Sequence, residues 1–100
     1  MKDRDARARE IMEAIGLVLL RDWDPIGVKD EPMAQDEYDS QIGQVYRLLA
    51  SGASERQIAE HLSRIESEEM GLTESKPETL LPVARKLRAL DVRLGDGSAP

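Results

Sequence analysis

Seven carboxylates crowd one stretch of this chain. Between residues 21 and 41, Asp22, Asp24, Asp30, Glu31, Asp36, Glu37 and Asp39 stand against only Arg21 and Lys29, a local balance of −5 in a chain of formal charge −6. Carboxylates at this density have two chemical uses: holding a hard cation through oxygen ligands, or attracting a basic surface. The cation reading comes close to an EF-hand frame, with Asp22, Asp24 and Asp30 at positions 1, 3 and 9 and Gly27 at position 6. It then fails, because position 5 is Ile26 and position 12 is Met33 where a bidentate glutamate should stand; a calcium ion would lose two of its oxygens there. Asp36, Glu37 and Asp39 offer oxygens for magnesium, but nothing else in the sequence completes a site, and helix capping already accounts for Asp36 and Asp39. No metal and no cofactor is expected.

The single histidine, His61, lies at the edge of an apolar helical stripe formed by Ile58, Leu62 and Ile65. A lone imidazole can act as a general base, yet no serine or threonine is visibly paired with it and the chain has no cysteine. The expectation is a partly buried histidine bonded to a neighbour. No catalytic residue is assigned; the alternatives are a small metal-dependent enzyme using loop acids and His61 and, less favoured, a helix-turn-helix-like nucleic-acid regulator acting through residues 54–94. Residues Gln57-Ile58-Ala59-Glu60-His61-Leu62 loosely resemble the first half of a helix-turn-helix. A DNA reader then needs a short turn and a basic helix, whereas Ser63-Arg64-Ile65-Glu66-Ser67-Glu68-Glu69 continues as an acidic helix that phosphate would repel. The bases Arg85, Lys86, Arg88 and Arg93 fall on the last helix, where they suit the negative end of the dipole and can pair with acids of the same molecule.

Composition narrows the field further. One hundred residues make one domain. The absence of cysteine removes disulfides, thiolate metal sites and cysteine nucleophiles. Aromatic residues are 3% with no Phe, so there is no platform for stacking bases. The longest apolar run, Ala14 to Leu20, is seven residues, where a membrane span needs about twenty. The acid-interrupted start Met1-Lys2-Asp3-Arg4-Asp5 does not read as a signal peptide, and the expected location is cytoplasmic.

The elements that carry these residues are helical. Ala8, Ile11, Met12, Ile15, Val18 and Leu19 recur in steps of three and four over residues 5–22. Leu17 and Leu20 fall on the other side and serve either as a seat for the following loop, the favoured reading, or as a dimer seam; monomer or homodimer stays open. Residues 23–35 hold Pro25, Gly27 and Pro32, which forbid a continuous helix, while Trp23, Ile26 and Val28 are apolar enough to fold back as an ordered loop. A second helix is expected from an Asp36 N-cap through Tyr38, Ile42, Val45, Tyr46 and Leu49 to Gly52. Ser54-Glu55-Arg56-Gln57 reads as a capping box opening a third helix, in a tight hairpin with the second. Ser75-Lys76-Pro77-Glu78 reads as another capping box, opening a last helix through Leu80, Val83, Ala84, Leu87, Leu90 and Leu94, with Pro82 arguing for a start nearer Thr79. No strand and no repeat is read. The expected fold is all-α: a compact antiparallel four-helix bundle, residues 1–94, with a long ordered loop between its first two helices and a frayed tail at 95–100.

Over about residues 15–72, the blocks Trp23-Asp24-Pro25-Ile26-Gly27 and Asp36-Glu37-Tyr38-Asp39, followed by Glu68-Glu69-Met70-Gly71-Leu72, resemble a small bacterial domain-of-unknown-function family. The resemblance implies a short all-helical cytosolic protein and brings no activity, substrate or catalytic residue. The residues themselves point to a non-enzymatic protein-binding module, with Trp23, Asp24, Asp30, Glu31, Asp36, Glu37, Tyr38 and Asp39 as the candidate face. The expected partner is a basic protein, as for an immunity or antitoxin-like inhibitor, and neither nucleic acid nor membrane. Trp23 and Tyr38 carry a second reading, as plugs of the core.

Overall fold

The steps of three and four become four α-helices in the computed structural model, which describes residues 4–72 and 75–92: α1 (Arg4–Val18), α2 (Asp39–Ala50), α3 (Glu55–Glu68) and α4 (Pro77–Arg88). No strand occurs among the described residues. The tail expected at 95–100, and with it Arg93 and Leu94, lies outside them.

The first helix does not stop at Val18. Its backbone widens into one π turn over Leu19–Trp23, closed by the Asp24 N–H on the Leu19 carbonyl five residues back at 2.9 Å. Asp24 then takes left-handed backbone angles (φ 35°, ψ 59°), a region that Asp tolerates better than most non-glycine residues. Pro25 sterically disfavours a right-handed helical conformation at Asp24, so helix termination and the turn into the loop coincide at one residue.

The loop from 24 to 38 contains a short 3-10 turn at Pro32–Ala34. The second helix starts at Asp39, two residues later than an Asp36 cap would place it. Residues 36–38 are turns, and the cap position belongs to Tyr38, with no side-chain capping bond. Asp36 is therefore not an N-cap. Tyr38 has been drawn into the core, which sets where the chain can begin to wind.

At the other end of α2 the expectation holds: Gly52 (φ 82°) and Ala53 close a Schellman motif, their N–H groups reaching the Leu49 and Leu48 carbonyls at 3.2 and 3.0 Å. The capping box at Ser54 also forms. Ser54 Oγ accepts from the Gln57 N–H at 3.1 Å, and Gln57 Oε1 accepts from the Ser54 N–H at 2.8 Å. The box expected at Ser75 does not form. The Ser75 hydroxyl instead meets the Ser63 hydroxyl at 2.8 Å, and Lys76 occupies the cap position without a side-chain bond. The last helix nevertheless starts at Pro77, accommodates Pro82 on its exposed side, and ends at Arg88 rather than continuing to Leu94.

Packing departs from the expected hairpin. The helix packed most closely on α3 is α4, not its predecessor α2, while α1 takes α2 as its main partner and also touches α4. Ile58, Ala59, Leu62 and Ile65 on α3, and Leu80, Val83, Ala84 and Leu87 on α4, supply half of the buried apolar residues among those described. Full burial of a side chain such as Leu62 or Leu87 contributes roughly 1.5–3 kcal/mol. On the other pair, Gly16 removes a side chain where α2 comes close: a Cβ built there would lie 3.1 Å from Ile42 Cδ1. No described helix is long and apolar enough to cross a membrane.

Candidate functional site

Two of the eight candidate residues are core. Trp23 is 6% exposed and Tyr38 2%, with ring centroids 5.3 Å apart at a 46° tilt. Their burial decides between the two readings in favour of core plugs. The indole is also anchored: its Nε1–H donates to Glu66 Oε2 at 2.7 Å, from the π turn to α3. Glu66 is only 8% exposed, and its place at this junction was not read from the sequence. The signal was present, since Ile58, Leu62 and Glu66 fall at steps of four on one helix face.

A third candidate, Asp24, is turned inward. Its Oδ1 accepts from the Val28 N–H at 2.7 Å and from the Tyr38 hydroxyl at 2.8 Å, and its Oδ2 accepts from the Lys29 N–H at 3.1 Å. The Tyr38 oxygen in turn accepts from the Ile26 N–H at 3.2 Å. Burial by itself would push the Asp24 carboxyl up. The bonds from Val28, Tyr38 and Lys29, with the Lys29 ammonium nearby, outweigh it and hold the group below its ordinary 3.8. The same arrangement works in reverse on Tyr38, whose phenol is raised to about 12 chiefly by burial, with the Asp24 and Glu37 charges adding to it against the Ile26 bond. Gln35, also unforeseen, pins the far side of the loop by donating to the Lys29 and Glu31 carbonyls at 3.0 and 2.9 Å. The Trp-Asp-Pro-Ile-Gly block thus folds as a clasp whose polar groups answer one another. Ile26 does not fold back as expected; it stands 45% exposed.

The remaining five candidates, Asp30, Glu31, Asp36, Glu37 and Asp39, are exposed, and none bonds or ion-pairs through its side chain within the described residues. Elsewhere several acids of the described surface meet bases of the same chain. Lys86 reaches Asp22 at 2.7 Å, Arg85 lies 3.6 Å from Glu55, and Arg56 meets Glu60 and Glu78 at 3.1 and 3.5 Å. Two of the bases on α4 are therefore engaged with acids of the same chain, and the EF-hand frame loses Asp22 to Lys86 as well as Asp24 to the clasp. Among the described residues no three His, Asp or Glu side chains come together as a metal-binding group.

His61 lies apart from the acidic loop, in a cavity of about 500 Å³ with Gln44, Arg47, Leu48 and Ser51. It is half-buried as expected, but its Nε2 is buried without a hydrogen-bond partner among the described residues, so the expected neighbour bond is not made there. Burial, followed by the Arg64 charge, lowers its pKa below 6.5 against the opposing pull of Glu69. The third helix runs unbroken through the stretch likened to a helix-turn-helix, as far as Glu68.

Beside the clasp lies a groove of about 510 Å³ between α1 and the start of α2. Met12, Gly16, Leu17, Leu20 and Ile42 line it, with Arg9, Glu13, Gln35 and Asp39 at its edges. Leu20 is buried, in keeping with a seat for the loop, whereas Leu17 is 52% exposed and faces no loop that covers it. No family model, no curated protein and no solved structure matches this chain.

Proposed function

We propose that the chain is a non-enzymatic, cytosolic protein-binding module that docks a basic partner through the exposed acids of residues 30–39. The observation that carries this reading is the clustering of Asp30, Glu31, Asp36, Glu37 and Asp39, exposed on one loop and helix start with no ion pair among the described residues, whereas Asp22, Glu55, Glu60 and Glu78 each meet a base of the same chain. The clasp supports it further, because carboxylates displayed on a loop fixed at Asp24, Gln35 and Tyr38 dock with less ordering cost than carboxylates on a free tether. An antiparallel arrangement of the four helices around this loop, and kinship with the helical bacterial family that the Trp-Asp-Pro block resembles, belong to the same proposal. The close pairing of α3 with α4 and of α1 with α2 favours that arrangement.

The experiment is affinity capture from the source cell with the wild-type chain and with a variant carrying Asp30→Lys, Glu31→Lys and Glu37→Lys. A partner rich in Lys and Arg is expected on the wild type and lost on the variant, with the thermal midpoint unchanged because none of the three side chains makes a bond among the described residues. Equal recovery on both chains would contradict the proposal.

A further inference from the structure

The groove between α1 and α2 adjoins the acidic loop. Building on the proposed docking role, we infer that it receives an amphipathic helix of the partner, with aliphatic residues on one face and Lys or Arg along its flank. Three observations converge. The floor is aliphatic, from Met12, Leu17, Leu20 and Ile42, and Leu17 stays 52% exposed on it. A row of aliphatic side chains at helical spacing is the natural complement of such a trough. Met33, 89% exposed on the turn of the adjoining loop just before Gln35, is a further uncovered apolar side chain.

The charges around it select the sign of the occupant. Glu13 and Asp39 lie at the groove edge, and Asp30, Glu31, Asp36 and Glu37 lie on the neighbouring loop, against Arg9, Arg21 and Lys29. None of these nine side chains is hydrogen-bonded or ion-paired among the described residues. The excess is acidic, so a basic flank gains attraction where an acidic one meets repulsion. The same excess disfavours a second copy of this chain as occupant, since a two-fold pairing over the groove would set two acidic loops against each other.

The test is a heteronuclear NMR titration of the full chain with two synthetic peptides of roughly eighteen residues, about five helical turns. Both carry Leu at i, i+3, i+4 and i+7; one has Lys flanks and the other has Glu in their place. The Lys peptide is expected to shift the amides of Met12, Gly16, Leu17 and Ile42 in a saturable way. The Glu peptide is expected to bind at least about tenfold more weakly, and Leu17→Gln, at an exposed position that leaves the fold intact, to weaken the Lys peptide by about tenfold. Shifts confined to residues 30–39 would overturn the groove inference while leaving the acidic docking face standing. No saturable shift in either place would overturn both. Self-association by light scattering that disappears in Leu17→Gln would also overturn it, by naming a second copy as the occupant.

Discussion

At Asp24 a carboxylate that the sequence offers as a ligand or a docking charge is consumed inside the loop, by two backbone N–H groups and one phenol. Asp24→Ala leaves those donors unanswered and places a Cβ-bearing residue without a compensating acceptor at φ 35°. The expected cost is roughly 2–3 kcal/mol of unfolding free energy, measured by urea denaturation. The lowered pKa makes this stabilisation pH-dependent. It is complete above the unfolded value near 3.8 and is lost as pH falls through the lower folded value, so wild type and Asp24→Ala converge in strongly acidic solution. His61 titrates with the same sign in a different window. Its neutral form is favoured in the fold, so stability is complete above 6.5 and declines as pH drops below it, where the unfolded chain takes up a proton that the folded chain resists. Thermal midpoints recorded from about pH 7.5 to 5.5 are expected to fall for wild type and to flatten for His61→Gln.

The helices were legible because their apolar residues recur at helical spacing, and both the Ser54 capping box and the Gly52 terminus formed where the sequence placed them. What was not legible lies at the junctions. Nothing in Leu19-Leu20-Arg21-Asp22-Trp23 marks a turn widened by one residue, because the π geometry is imposed by burying Leu19, Leu20 and Trp23 together and by Asp24 turning left-handed. Ser75 satisfies the local capping pattern yet bonds Ser63, since a hydroxyl on α3 within reach competes with the helix's own N–H groups. Asp36 likewise loses its cap role to the burial of Tyr38. The candidate face divided for the same reason: Trp23 is held by Glu66 on α3, and Asp24 and Tyr38 are held by each other across the loop, pairings that composition cannot display. The two glycines of the α1–α2 pair separate packing from propensity. Gly43 has open space around its missing Cβ, and Gly43→Ala is expected to stabilise the chain by about 0.5–1 kcal/mol. Gly16 faces Ile42, and Gly16→Leu is expected to force the pair apart at a cost of roughly 1–3 kcal/mol, both read from denaturation midpoints.

Among the described residues, bases and acids are paired where α4 meets the π turn and where α3 meets α4, while the acids of residues 30–39 and the charges of the neighbouring groove make no ion pair. Surface pairs of this kind add little to stability, so the division says more about what the surface can attract than about what holds the fold. Attraction of this type acts mainly on the rate of encounter and fades as salt shortens its range to about 10 Å at 0.1 M. The most direct measurement is therefore the association rate of the captured partner with the wild-type chain and with the Asp30→Lys, Glu31→Lys, Glu37→Lys variant, across a series of salt concentrations. The wild-type rate is expected to fall steeply with salt, and the variant to be slow at low salt and nearly indifferent to it. Equal rates for the two chains, or a wild-type rate that ignores salt, would contradict the acidic loop as the docking face.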